Sequence, residues 1–297
     1  MLEQQRREAV VAARRGQRLA VGPDGRRRLL AAPGCYDGFS ALLLEQAGFE
    51  AAFLSGAALS LARLGHPDVG LVGVGELADA VRAICDRVEI PLIVDIDTGF
   101  GNALNTQRTV KVLERAGAAA VQLEDQTFPK RCGHMRGKGV IPLAEMVGKV
   151  RAALDARSET LLVARTDALG VEGPASAMER AEAYLEAGAD IVFVEGPRTL
   201  EETKAVAERF AARVPLVHNL VEGGITAVRT GAELQELGFA IALHPMLLLH
   251  GLARHAPDWL GKLAADGTTD GLDIFDLPRL NAVAGLDALL ADAATYA

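Results

Sequence analysis

Four times along this chain a stretch rich in Ala, Glu and Leu closes on a glycine, and an apolar run follows at once. The phrases are Ala47-Gly48 before Phe49 to Leu54, Ala116-Gly117 before Ala118 to Leu123, Ala187-Gly188 before Ala189 to Val194, and Leu237-Gly238 before Phe239 to Leu243. Glycine readily takes the left-handed backbone that ends a helix, and a short apolar run without polar alternation is a strand buried on both faces. Helix followed by buried strand is therefore the repeating unit. Further apolar runs lie between the phrases, at Pro91 to Val94, Leu161 to Ala164 and Pro215 to Val217, and Leu29 to Ala32 opens the series. Eight strands can be drawn.

Strands that alternate with helices pair in parallel through right-handed crossovers, and eight such units in about 250 residues suit a closed (β/α)8 TIM barrel. An open doubly wound sheet is the rival architecture. It would carry a glycine-rich phosphate turn after its first strand, and Ala32-Pro33-Gly34-Cys35-Tyr36-Asp37-Gly38 contains neither GxGxxG nor a P-loop lysine. No low-complexity linker divides the chain, so residues 1–297 are expected to form one α/β-barrel domain. Residues 1–28, rich in Arg, would be an N-terminal helical extension, and the helical stretches over 250–297 must pack on something.

Composition narrows the function classes. With 39 acidic against 31 basic residues, a net charge of -8 and 4% aromatic residues, neither a polyanion surface nor a base-stacking platform is supplied. Nucleic acid is not the expected partner. The three cysteines, Cys35, Cys85 and Cys132, are too scattered for a disulfide framework or a four-ligand zinc site and fit a reducing cytoplasm. No apolar run reaches the ~18 residues of a membrane span.

In a barrel, function sits at the carboxyl ends of the strands, and here the seven apolar runs after the first all end in polar residues. They are Ser55-Gly56, Asp95-Ile96-Asp97, Glu124-Asp125, Arg165-Thr166-Asp167, Glu195, His218-Asn219 and His244. Strand-end turns and helix caps would account for one or two of these, not for all. Asp95, Asp97 and Glu124 form a cluster of like charges that calls for a cation, and with no His or Cys at ligand spacing a hard divalent ion, Mg2+ or Mn2+, is favoured over zinc. N-capping by Asp97 and solvation of Glu124 is the bland alternative. Directly after Glu124 runs a long glycine-bearing loop, Asp125 to Gly139, in which Cys132 is flanked by Lys130, Arg131 and His134. Long loops in compact domains are commonly lids, and a thiol among cations is expected to have a lowered pKa and to serve in proton transfer.

Lys130-Arg131-Cys132-Gly133-His134 resembles the loop signature of the isocitrate lyase and phosphoenolpyruvate mutase superfamily, in its Cys-bearing lyase branch. The resemblance extends to Phe53-Leu54-Ser55-Gly56, Pro67-Asp68, Asp95-Ile96-Asp97-Thr98-Gly99-Phe100-Gly101, Glu124-Asp125-Gln126, Ala164 to Ala168 and His218-Asn219, in unbroken order over roughly residues 30 to 250. It implies an α/β barrel whose last helix is exchanged between subunits of a homotetramer, which would give residues 250–297 a packing partner. Carried over by position, it implies that Asp95 binds Mg2+ while Asp68, Asp97 and Glu124 hold the metal's waters. Ser55, Gly56 and Arg165 would bind the 2-oxo-acid half of a substrate, with Gly133 lining the same site. His134, Arg165 and Asn219 suit its anionic side, Lys130 would help close the loop, and Glu195 would orient metal-bound water or a polar neighbour. Cys132 is the expected general acid.

Two departures bear on substrate. The methylisocitrate lyases place a Tyr where this chain has Phe53, and a Thr or Ser where it has Val221. A substrate polar group left without those hydroxyls would cost ~1 to 3 kcal/mol, so a smaller 2-alkylmalate such as 2,3-dimethylmalate is favoured over a tricarboxylate. Such a lyase would yield pyruvate and a short carboxylate. Carboxyphosphonoenolpyruvate phosphonomutase, oxaloacetate decarboxylase or hydrolase, methylisocitrate lyase, and a non-catalytic barrel that binds a 2-oxo acid are the alternatives.

Overall fold

A computed structural model describes residues 28–133, 135 and 137–296. The helical extension expected over residues 1–28 therefore lies, Arg28 apart, outside the described residues. Eight parallel strands close on themselves in sequence order: β1 Leu30–Cys35, β2 Ala52–Leu54, β3 Leu92–Asp95, β4 Ala120–Glu124, β5 Leu161–Thr166, β6 Ile191–Val194, β7 Leu216–Asn219 and β8 Ile241–His244. Closure is made by β1 on β8, with Leu30 to Pro33 in register with Ile241 to His244. The fold is a (β/α)8 TIM barrel. The four glycines that end the repeated helical phrases, Gly48, Gly117, Gly188 and Gly238, all have positive φ, which is the backbone their role as helix terminators demands.

The first strand runs further than the apolar pattern suggests. Gly34 lets it continue, because a Cβ there would lie 2.0 Å from the Pro245 carbonyl oxygen at the end of β8. Only a bare backbone fits against the neighbouring strand end at that point.

The period of two along each strand divides its side chains between two cores. One set, including Phe53, Ile93, Ala120, Val163, Phe193 and Val217, meets from different strands in a single cluster, which only the inside of a barrel allows. The other, including Val192, Val194, Leu216 and Ala242, packs against Ala177 and Ala181 of the Pro174–Glu186 helix and Phe210 of the Leu200–Phe210 helix. Continuing the inner set by two residues gives Ser55, Asp95, Arg165, Glu195 and Asn219, and on β4 by four residues, past Gln122, gives Glu124. The polar strand ends are thus the top layer of the barrel's own interior.

Residues from Leu248 onward form a second compact unit. It holds the helices Leu247–Asp266, Leu277–Ala284 and Leu286–Ala294, none of which has a buried residue, and leaves Leu260, Leu277 and Leu289 exposed. No helix among the described residues is long and apolar enough to cross a membrane.

Candidate active site

At the carboxyl end of the barrel the chain turns sharply after β3. Asp97 has φ 49° and Phe100 φ 60°, conformations that non-glycine residues rarely adopt, and the turn is held from both sides. The Asp97 amide donates to Asp95 Oδ1 at 3.1 Å, and the Glu124 amide donates to the Asp97 carbonyl at 2.9 Å. From the Leu143–Ala156 helix, buried Lys149 donates to the Thr98 carbonyl at 3.0 Å. The turn aims both aspartates at the same space. A Cβ on Gly56, which opens the Gly56–Leu64 helix, would lie 3.0 Å from Asp97 Oδ1 and 3.6 Å from Asp95 Oδ2. Any side chain there would crowd the acidic cluster.

Lys130 enters this cluster from the loop. Its ammonium contacts Asp68 and stands 2.6 Å from Asp97 Oδ1, and only 3% of the residue is exposed. Burial pushes the Asp97 carboxyl up to about 7 against the pull of Lys130, and burial likewise holds Glu124 well above its ordinary value. Glu124 Oε1 is buried without a hydrogen-bond partner. Asp68, Asp95 and Glu124 thus line one pocket with Asp97 beside them; Asp97 Oδ1 and Glu124 Oε1 both lack a hydrogen bond, and the nearby cations are Lys130, at Asp68 and Asp97, and Arg165, at Glu124. Among the described residues no three acidic, His or Cys groups already converge on an ion-sized point. The donor set and the orphaned Glu124 oxygen nevertheless fit a hard divalent cation, which would take over charge that Lys130 now balances.

The other side of the site is built around Arg165, at the end of β5. Its Nε donates to Asp167 Oδ2 at 2.9 Å and its Nη2 to Asp167 Oδ1 at 3.1 Å. Glu124 and Glu195 each approach it to 3.4 Å, and the guanidinium lies 5.3 Å from the centre of the Phe193 ring. Burial alone would raise the Asp167 carboxyl, but Arg165 and Lys138 outweigh it and hold it below its ordinary value. Asp167 is itself fixed from behind. Asp125 Oδ1 accepts from the Asp167 amide at 2.9 Å, while its Oδ2 accepts from Thr166 at 2.7 Å and from the Tyr184 hydroxyl at 2.8 Å. On the other side of Arg165, Asn219 donates to Glu195 Oε2 at 2.8 Å.

The pocket over these groups is lined by the polar residues Ser55, Arg165 and Asn219, by the apolar residues Phe53, Val221 and Met246, and by Cys132 and Gly133 of the loop. Ser55 Oγ accepts from the Ala58 amide as a helix N-cap, at 3.4 Å, which leaves its own hydrogen to give. Gly133 is pressed on the floor: a Cβ there would lie 2.4 Å from Arg165 Nη2 and 2.8 Å from Glu195 Cγ. The loop is therefore down, with its glycine against Arg165 and Glu195.

Of the residues picked out from sequence, Phe53, Ser55, Gly56, Asp68, Asp95, Asp97, Glu124, Lys130, Cys132, Gly133, Arg165, Glu195, Asn219 and Val221 come together here. His134 lies outside the described residues. His218 alternates with Asn219 and faces away, edge-on to Phe239 at 5.3 Å between ring centres. Asp125, Asp167 and Lys138 received no role from sequence. Asp167 shares a strand face with Arg165, two residues away, and that spacing is the signal that could have found it.

Comparison with known proteins places this geometry in a family. The phosphoenolpyruvate phosphomutase model matches residues 25–256. Among curated relatives, a 2-methylisocitrate lyase of Aeropyrum pernix is 46% identical over 84% of this chain and 80% of its own length. A chloroplastic carboxyvinyl-carboxyphosphonate phosphorylmutase of Arabidopsis thaliana is 44% identical over 80% of this chain and 71% of its own. A solved 2,3-dimethylmalate lyase superposes with a TM-score of 0.90 at 32% identity, covering 97% of this chain and 95% of that one. A solved phosphonopyruvate hydrolase in complex with oxalate and Mg2+ does so with a TM-score of 0.82 at 30% identity, covering 98% and 99%. The motifs, the barrel and these matches agree: the chain belongs to the phosphoenolpyruvate mutase/isocitrate lyase superfamily.

Proposed function

We propose that this protein is a carbon-carbon lyase that cleaves a 2-hydroxy dicarboxylate of the 2-alkylmalate type, such as 2,3-dimethylmalate, to pyruvate and a short carboxylate. The observation that carries the substrate class is the pocket lining: Phe53 and Val221, neither bearing a hydroxyl, line the same pocket as Arg165 and Ser55. An alkyl group is at home against those two side chains, whereas a third carboxylate would meet no donor there.

Arg165, Ser55 and the amide end of the helix that begins at Gly56 bind and orient the carboxylate and oxygen of the future pyruvate half. Asp95, with Asp68, Asp97 and Glu124 around it, would hold Mg2+, which when bound supplies electrophilic stabilisation of negative charge on the substrate oxygens. The C2 hydroxyl gives up its proton toward the carboxylate cluster, the C2–C3 bond breaks, and its electron pair passes to C3 beside the second carboxylate. Cys132 then protonates C3 and leaves the short carboxylate. Asn219 and Glu195 keep Arg165 in place, and Lys130 and Gly133 exclude water by holding the loop down. The helices from Leu247 onward have no buried residue in a single chain, which supports their packing on a second copy in a homotetramer.

The decisive experiment is incubation of the protein and Mg2+ with 2,3-dimethylmalate, 2-methylisocitrate or oxaloacetate, with pyruvate followed by a coupled dehydrogenase. Pyruvate from 2,3-dimethylmalate at the highest kcat/KM is expected. No pyruvate from either malate-type acid overturns the lyase assignment, and faster turnover of 2-methylisocitrate overturns the substrate class.

A further inference from the structure

Cys132 and Gly133 sit between two backbone clamps that the reaction chemistry does not require. On the upstream side the Gln126 carboxamide grips the Arg131 backbone twice: its Nε2 donates to the Arg131 carbonyl at 2.8 Å, and the Arg131 amide donates to its Oε1 at 3.0 Å. On the downstream side Lys138 Nζ donates to the Gly133 carbonyl at 2.5 Å and to Asp167 Oδ1 at 2.7 Å. The Lys138 side chain is 7% exposed. The base of the loop is closed by the Thr127 amide, which donates to the Gly139 carbonyl at 2.9 Å, and by the bridge between Gln126 and Val140.

Lys138 differs from an ordinary buried ion pair in having a loop carbonyl as one partner and a floor residue as the other. Asp167 Oδ1 accepts at once from Lys138 and from Arg165, so one carboxylate oxygen joins the loop to that arginine. If the loop rises, the Gly133 carbonyl leaves and the desolvated ammonium loses half of its partners. A buried donor without its acceptor is costly, which favours the lowered loop whenever Asp167 is in place.

We propose that Lys138 is a positioning residue, whose ammonium ties the Gly133 carbonyl to Asp167 and thereby fixes Cys132 over the polar layer of the barrel. The role of Cys132 as proton donor rests on the lyase assignment; the clamp does not. It acts through the backbone of the loop and touches no substrate, so its loss frees Cys132 to move without changing the groups that bind metal or carboxylate.

The test measures how fast iodoacetamide alkylates Cys132 in the full-length protein with Mg2+, followed by mass spectrometry of the peptide that carries it. Lys138→Met is expected to raise that rate about tenfold, and Lys138→Arg, which keeps a charged donor, to return it to near the wild-type rate. The thermal midpoint should fall, because buried Asp167 loses one of its two cations, so alkylation is read well below the midpoint; for whichever substrate the protein turns over, kcat should fall more than KM rises. Equal alkylation rates in the wild type and Lys138→Met overturn the proposal. Should Lys138→Met fail to fold, Lys138→Ala, which removes the donor to Gly133 and leaves room for water beside Asp167, replaces it under the same criterion. The alkylation readout needs no substrate, so failure of the lyase assignment and failure of the clamp give different results.

Discussion

The Lys130 ammonium stands 2.6 Å from Asp97 Oδ1, in the middle of the carboxylates that would receive a metal ion. Removing one partner from a buried ion pair leaves the other charge uncompensated, at a cost of about 3 to 5 kcal/mol. Lys130→Met should therefore lower the thermal midpoint sharply in the presence of a chelator. If the cluster is a divalent-ion site, added Mg2+ restores most of the loss, because the ion supplies the missing positive charge. Calorimetry of the variant with and without Mg2+ measures this; a midpoint indifferent to Mg2+ would remove the cluster as the metal site.

The same cluster sets a pH dependence. Asp97 has a folded-state pKa of about 7 against an ordinary 3.8, and Glu124 and Asp125 are also raised, burial being the largest cause for each. Between those ordinary values and the raised ones the folded state binds more protons than the unfolded state, so this contribution to stability falls as pH rises. Carboxyls with lowered values, such as Asp167 and Glu114, act in the opposite direction but only at more acidic pH. The metal-free protein should thus gain stability when taken from pH 7.5 to about 5.5. Saturating Mg2+ should flatten the slope, since a bound cation favours the ionised carboxylates. Urea unfolding at several pH values, with chelator and with Mg2+, reads both slopes.

What was legible in the sequence follows from what is periodic. Gly48, Gly117, Gly188 and Gly238 announce helix ends because a left-handed residue is a local demand, and each apolar run announces a strand because a strand buried on both faces has no polar alternation. The polar layer was equally plain, since it is the end of those same runs. The alliances behind it were not. Tyr184 reaches Asp125 from 59 residues away, and the Lys138 ammonium takes as its partner a backbone carbonyl, which leaves no trace in residue identity. Lys130 could be placed on the loop, but its landing between Asp68 and Asp97 depends on how far the loop folds over, which no spacing records.

Cys132 lines the pocket together with Phe53, Arg165 and Asn219. If Cys132 is the proposed proton donor to C3, a positioned general acid contributes ~10² to 10⁴-fold, so Cys132→Ala should lose that much in kcat. The acidic cluster is untouched by the change, and Mg2+ binding measured by calorimetric titration should match the wild type. Retention of full turnover would assign the proton to another group.

Phe53 and Val221 give the last prediction, because they are where a carboxylate-bearing substrate arm would find no hydroxyl. Phe53 is 3% exposed and shares the barrel interior with Ile93 and Phe193, so a Tyr in its place can direct its hydroxyl only toward the pocket or into the apolar core. The core would leave that hydroxyl unsatisfied, which favours the pocket. Val221→Ser adds a second hydroxyl to the lining of the same pocket. Each new hydrogen bond to a charged group is worth about 1.5 to 3 kcal/mol, so Phe53→Tyr with Val221→Ser should raise kcat/KM for 2-methylisocitrate relative to 2,3-dimethylmalate by at least about tenfold. The ratio of the two kcat/KM values, measured in wild type and double variant, checks it. A ratio that does not move would mean that the alkyl preference is set elsewhere in the pocket, with Met246 and Pro245 as the remaining apolar candidates.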